Sequence, residues 1–108
     1  MATTRDEIRT WLEKAKESNA THVIVACDTF DYEDYPVPVF ANESVREAYF
    51  KTSDAEMQRV MEVYALHLDF DVQLDEHRSF HFEGPGEKRV TLDDVLQERM
   101  EARRAKTT

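Results

Sequence analysis

The sequence predicts an α+β fold, with a small antiparallel sheet of about three strands packed against helices, in the order α-β-β-α-β-α plus a C-terminal helix. The continuous apolar run from Val23 to Cys27 is typical of a strand that is buried on both faces of a sheet. Apolar residues at helical spacing surround it, and a neighbouring strand-like run carries two prolines. The 108 residues suffice for one core, so we expect a single domain over residues 1–108.

The first two elements are a helix and a central strand. Thr4 followed by Glu7 is a capping-box pattern, so the helix is predicted to span about residues 4–18. One apolar stripe recurs along it at i, i+3, i+4 and i+7, namely Ile8, Trp11, Leu12 and Ala15. The apolar run that follows has no polar face, which places its strand in the middle of the sheet.

A turn and an edge strand come next. The segment Asp28 to Asp34, which we call the tip, is expected to turn in solvent, and Tyr35 to Phe40 returns as the second strand. Pro36 and Pro38 lack a backbone N–H and lie two residues apart, so they remove donors from one side of the strand only. The second strand is therefore predicted to be an edge whose outer side is blocked against further pairing.

The middle of the chain contains one ambiguous segment. A helix capped by Asn42 or Ser44 is predicted to run to about Lys51. From Met57 to Leu68 the apolar spacing fits a helix or a strand, and we take a third strand over about residues 58–66 because two strands alone are marginal. One face of that strand would carry Met61, Val63 and Ala65, and the other Val60, Tyr64 and Leu66. A short helix over about residues 68–76 is expected to follow.

The C-terminal part contains a turn and a last helix. Gly84-Pro85-Gly86 is a turn signal, and Thr91 with Asp94 can cap the helix that follows. The apolar stripe of this helix consists of Leu92, Val95, Leu96 and Met100. Residues 101–108 offer no apolar face, so we expect a frayed or partner-bound end.

The charge balance excludes some classes of partner. Fourteen Lys and Arg against 23 Asp and Glu leave a net charge of −9, which repels phosphate backbones and anionic membranes. We therefore expect neither a direct nucleic-acid partner nor a membrane partner. The single cysteine cannot form an internal disulfide, and no apolar run approaches the about 20 residues of a membrane span. A cytoplasmic protein is expected.

Three stretches carry a resemblance that covers much of the chain from Ala20 to Phe82. They are ATHVIVACDTFDYEDYPV, MQRVMEVYALHLDFDVQL and EHRSFHF. Together they resemble a set of small uncharacterised proteins of bacteria and their phages. The resemblance implies a compact α+β fold and a phage or mobile-element origin, which would place the protein in the host cytoplasm. It implies no activity and no residue roles.

The reactive side chains match no catalytic or metal-binding motif. Cys27 ends an apolar strand beside Asp28, which favours a buried, unreactive thiol. Zinc-motif spacing is absent among the four histidines His22, His67, His77 and His81. We predict no metal, no cofactor and no catalytic residue. The alternative is a small hydrolase-like enzyme that uses carboxylates or histidine, and a deep pocket that gathers a histidine with a carboxylate would favour it.

Segregated charge suggests a binding surface. Glu17 to Val45 contains six acidic residues and Val60 to His77 contains five, with no Lys or Arg in either segment. We expect the tip and the segment Asp69 to Glu76 to form one negative face. The predicted partner-binding residues are Asp28, Phe30, Asp31, Tyr32, Glu33, Asp34 and Tyr35. Aromatic anchors within a charged rim are typical of binding hot spots.

These patterns predict a small acidic, non-enzymatic protein-binding module whose partner presents a basic surface. A sharper hypothesis fits a phage origin: an accessory or inhibitor protein that mimics nucleic acid and occupies a DNA- or RNA-binding protein. The sequence leaves the oligomeric state open.

Overall fold

The computed structural model describes residues 3–76 and 78–107. Its elements are α1 (Arg5–Glu17), β1 (Ala20–Asp28), β2 (Glu33–Phe40), α2 (Val45–Ser53), β3 (Gln58–Ala65), α3 (Phe70–Asp75) and α4 (Leu92–Thr107). The strands form one antiparallel sheet in the order β2-β1-β3. The predicted fold class and element order are confirmed, and the ambiguous segment after Met57 is a strand.

Polar side chains fix where the helices begin. Thr4 Oγ1 accepts the Glu7 N–H at 3.2 Å at the start of α1, and Ser44 caps α2 in the same way. Asp69 caps α3 by accepting the Val72 N–H at 3.1 Å. These caps satisfy backbone donors that a helix leaves unpaired in its first turn, so local sequence sets the helix boundaries.

The central strand separates two apolar cores. On one face, β1 and β3 pack against α1 and α3, with a core of Ile8, Leu12, Ala15, Ala20, Val23, Val25, Tyr64 and Leu66. On the other face they pack against α2, the segment 80–82 and α4, with a core of Ile24, Val39, Val45, Tyr49, Val60, Val63, Phe80, Phe82 and Val95. Burial on both faces explains why β1 is apolar without alternation.

The strand β2 is an edge, as its prolines predict. Pro36 lies opposite Val25 and Pro38 lies opposite Val23. Because alternate residues direct their N–H groups to the same edge of a strand, both missing donors lie on one edge of β2. The residues between and after the prolines, Val37 and Val39, still pair with β1, so the ladder continues as far as Phe40. The sheet therefore ends at β2 without a row of free donors.

A bulge in β3 changes which side chains share a face. Val25 lies opposite Glu62, but Ala26 lies opposite Val60, so Met61 is an extra residue. Val60 consequently packs in the same core as Val63, while Met61 packs against the other core. The prediction that Met61 shares a face with Val63 was wrong, because one inserted residue inverts the alternation on its N-terminal side.

Non-strand residues cover the outer edge of β3. Val63 donates its N–H to Ser79 O at 3.0 Å and accepts the His81 N–H at 2.9 Å, which makes a short parallel bridge. Further along β3, the buried Gln73 side chain accepts the Ala65 N–H and donates to its carbonyl, both at 2.8 Å. These contacts satisfy backbone groups that an open edge would expose, and they hold the segment after α3 against the sheet.

Candidate functional site

The tip is ordered by hydrogen bonds within its own turn. Asp28 Oδ1 accepts the Phe30 N–H at 2.8 Å, and Asp28 O accepts the Tyr32 N–H at 2.7 Å. Asp31 Oδ1 accepts the Glu33 N–H at 3.0 Å, immediately after Tyr32 adopts a positive φ of 58°. Aspartate side chains that bond to backbone two residues ahead stabilise turns, so two of the predicted binding residues also build the loop.

Large apolar side chains project from this end of the sheet. Phe30 is 79 % exposed and Tyr32 66 % exposed, and Met57, in the loop before β3, is 54 % exposed. Met57 belongs to the same surface because its carbonyl accepts the Thr29 N–H at 2.9 Å. We call Phe30, Tyr32 and Met57 the tip patch. The sequence did not indicate this place for Met57, which was counted only in the ambiguous apolar spacing from Met57 to Leu68.

The remaining predicted residues divide between the patch and the strand. Asp31 and Glu33 are exposed beside the tip patch, whereas Asp34 and Tyr35 are half-buried. Because β2 begins at Glu33, the turn itself is shorter than the predicted Asp28 to Asp34. Asp34 lies opposite Cys27, which is buried as predicted. Burial raises the pKa of the Cys27 thiol, and the neighbouring Asp34 raises this pKa further. Cys27 is therefore part of the core.

The predicted union of two acidic segments is wrong. The strand β3 runs antiparallel to β1 and ends beside Thr21, whose carbonyl accepts the Leu66 N–H. The acidic segment that follows β3 therefore lies at the opposite end of the sheet from the tip. The carboxylates of α3 are also neutralised, since Asp71 pairs with Arg5 and Arg9 and Asp75 pairs with Arg5. In contrast, none of the tip carboxylates forms an ion pair within residues 3–76 and 78–107.

A second group of carboxylates lies inside the protein around His81. Its Nδ1 is 2.8 Å from Glu83 Oε2, and its Nε2 is 2.8 Å from Glu76 Oε1. The side chains of His81 and Glu83 are 7 % and 5 % exposed. Arg89 donates to Glu76 at 2.8 Å, and Glu83 Oε1 accepts the Val90 N–H at 3.2 Å. We call Glu76, His81 and Glu83 the histidine cluster.

The geometry of the histidine cluster indicates a structural hydrogen-bond network. Both ring nitrogens of His81 lie within hydrogen-bond distance of a carboxylate oxygen, so each of them already has a partner within the chain. Burial is the largest single influence and raises the pKa of Glu76 and of Glu83. Hydrogen bonds and charge from His81, together with Arg89 at Glu76 and backbone N–H groups at Glu83, outweigh it, so both pKa values are lowered. The sequence singled out His81 and placed Glu76 in the acidic segment, but it did not predict that Glu76 and Glu83 contact His81, because their approach depends on the tertiary fold.

The other histidines lie apart from this arrangement. His22 is buried, and its Nε2 lies 2.9 Å from Glu83 O. Burial lowers the pKa of His22. His67 lines a shallow surface depression with Pro85, and His77 lies outside the described residues. Within the described part of the chain, no group of three or more His, Cys, Asp or Glu side chains is arranged to hold a metal ion.

No protein-family model, curated protein or solved structure matches the chain. Among the residues that the structure describes, no helix has the length and apolar character needed to cross a bilayer. The fold and the exposed end of the sheet together define an α+β domain that presents an ordered loop with large apolar side chains and unpaired carboxylates.

Proposed function

We propose that this protein is a non-enzymatic protein-binding module that acts through the tip patch. The observation that carries the proposal is the 79 % exposure of Phe30 in a loop that its own hydrogen bonds hold in place. A large aromatic side chain held in water gains about 25 cal/mol for each Å² that a partner covers. Phe30 is hardly buried by the rest of the chain, so a partner that covered its ring would supply this free energy.

The order of the tip favours binding for a second reason. Association loses free energy when it has to fix mobile loops and side chains. Here Asp28 and Asp31 already fix the backbone on both sides of Tyr32, so little of this cost remains for the backbone. Aromatic and Met side chains are enriched at interface cores, which the tip patch resembles in composition.

Charge indicates the chemistry of the partner. Asp31 and Glu33 flank the tip patch, and no Lys or Arg of the described residues forms an ion pair with them. A basic protein surface would be steered toward such a rim. In keeping with the resemblance to phage proteins, we propose a cytoplasmic accessory or inhibitor role, in which the tip occupies a basic surface that nucleic acid would otherwise contact.

The test is a comparison of immobilised variants against extract of the native host. We expect the unaltered chain to retain a set of proteins that Phe30→Ser and Met57→Ser each lose. Val72→Ser is the matched control, because Val72 is also exposed, at 61 %, but lies on α3 at a different surface. Partners that survive Phe30→Ser and Met57→Ser unchanged would contradict the proposal, whatever their identity.

A further inference from the structure

A surface of opposite sign lies near the tip. Residues 100–107 form the last two turns of α4, and residues 101–105 contain two basic residues and one acidic residue, against a net charge of −9 for the whole chain. We call residues 100–107 the α4 end. Met100 is 51 % exposed at its start, and residues 101–105 are all exposed. The α4 end therefore combines positive charge with an exposed apolar side chain.

Contacts around Asp54 place the α4 end at the same end of the sheet as the tip. Arg99 donates to Asp54 Oδ2 at 2.7 Å, and its guanidinium lies 4.2 Å from the centre of the Phe50 ring. The hydrogen bond from Arg99, together with the charges of Arg99 and Arg103, lowers the pKa of Asp54. Asp54 is the C-cap of α2, three residues before Met57 of the tip patch.

The two surfaces complement each other in both charge and apolar content. The tip presents exposed carboxylates around the tip patch, and the α4 end presents the exposed side chains of Arg103 and Arg104 beside Met100. At about 1.5 Å per residue, eight helical residues extend about 12 Å, which is long enough to cross a loop of this size. Opposite charges that face each other across an interface steer association and fix its register.

We infer that a second copy of this chain binds the tip, with the α4 end of each copy docked on the tip patch of the other. This inference rests on the proposed function, because it uses the same tip patch, and it adds a second copy of the chain as a partner for that patch. Because both surfaces lie at one end of the molecule, a two-fold rotation forms both contacts at once and closes the assembly as a dimer. Met100 would pack on Phe30 and Met57, while Arg103 and Arg104 would face Asp31 and Glu33.

Charge reversal in two variants tests this arrangement in solution. The first variant carries Glu33→Lys and Glu56→Lys, two exposed carboxylates at the tip patch, and keeps the Asp31 oxygen that holds the loop. The second variant carries Arg103→Glu and Arg104→Glu. In sedimentation velocity at low ionic strength we expect the unaltered chain to dimerise. Each variant alone should show a dimer dissociation constant about tenfold or more higher, since juxtaposed like charges oppose association. A variant with Lys14→Glu and Lys88→Glu has the same charge change as the second variant on other surfaces, and should dimerise normally.

Mixing the two reversed variants gives the decisive result. In the mixed dimer a positive tip meets a negative α4 end at one contact, and a negative tip meets a positive α4 end at the other. The equimolar mixture should therefore recover the dimer, with circular dichroism confirming that each variant is folded. A monomeric unaltered chain, a dimer that survives either reversal, or a mixture that stays monomeric would each overturn the inference.

These outcomes are separate from those of the proposed function. If the dimer fails while Phe30→Ser still removes host proteins in the immobilised comparison, the tip is a binding site for a different partner. If the charge-swapped mixture recovers the dimer while no host protein depends on Phe30, the tip acts in self-association alone.

Discussion

The tip and the histidine cluster hold similar carboxylates in opposite environments. In the cluster, Glu83 is buried and both of its oxygens accept hydrogen bonds, from His81 and from the Val90 N–H. At the tip, Glu33 is exposed and has no ion-pair partner in the described parts of the chain. The difference lies in tertiary surroundings, because both residues occur in acidic, aromatic stretches of sequence.

The comparison separates folding from binding. A buried charged group requires compensating partners. Removing one partner from the histidine cluster would leave a buried polar group without compensation and lower the free energy of unfolding. An exposed and unpaired charge contributes little to folding but acts at a distance on a partner. We expect substitutions in the two regions to affect different measurements, with stability changing in one and association in the other.

The largest expected effect is on stability in Glu83→Gln. Glutamine has the size of glutamate but one acceptor oxygen, so either His81 or the Val90 N–H would face an amide donor. Loss of one partner from a buried pair costs about 3 kcal/mol or more, and we expect urea unfolding to show a decrease of that size.

Glu98→Gln serves as the control for Glu83→Gln. It removes an exposed ion pair with Arg46, which should change the unfolding free energy by about 1 kcal/mol or less. If Glu83→Gln costs no more than Glu98→Gln, the histidine cluster is not a structural network.

Acid should weaken the fold through the same cluster. The lowered pKa values of Glu76 and Glu83 mean that their contribution to stability is present above 4.5, the ordinary pKa of glutamate, and is lost as pH falls through the folded-state values. His22 acts in the same direction below 6.5, since burial lowers its pKa and the unfolded chain takes up the proton first. Urea midpoints measured between about pH 7 and about pH 3 should fall, and less steeply in Glu83→Gln. Identical slopes would count against the cluster.

A smaller effect concerns the reactivity of the Cys27 thiol, which is buried in the core although Cys27 adjoins the tip. Its burial and raised pKa predict slow reaction with a thiol reagent at neutral pH and fast reaction in urea. The Asp34→Asn substitution should leave labelling of the folded protein slow, because burial is the largest cause of the raised pKa. Rapid labelling of the folded chain would show that the strand end opens.

Local patterns in the sequence predicted most of the fold. The N-cap at Thr4, the unbroken apolar run of β1 and the prolines of β2 each act within a few residues, so spacing alone reveals them. The bulge at Met61 was missed because Val60 and Met61 are both apolar, and neither face is marked by polarity. The contacts of Gln73 and Ser79 with the outer edge of β3 were not predicted. Single side-chain or backbone groups that pair with an edge strand leave no periodic pattern in the sequence.

The candidate site was predictable only in part. The exposed aromatics of the tip follow from a turn composition, but Met57 joins them through a backbone bond between loops 28 residues apart in sequence. The prediction that the segment Asp69 to Glu76 joins the tip in one negative face was wrong for a related reason. Neutralisation of Asp71 depends on arginines in α1, which the segment's own composition does not show.

The smallest expected effect on stability concerns the tip carboxylates, which we propose serve binding and not folding. The measurement is the free energy of unfolding in urea of the triple variant Asp31→Asn, Glu33→Gln and Asp34→Asn beside the unaltered chain and Glu83→Gln. The Asp31→Asn change keeps a side-chain oxygen that can accept the backbone N–H two residues ahead, and the remaining changes reduce repulsion. We predict that the triple variant stays within about 1 kcal/mol of the unaltered chain or exceeds it. A loss as large as that of Glu83→Gln would contradict the account, because the tip carboxylates would then hold the fold together.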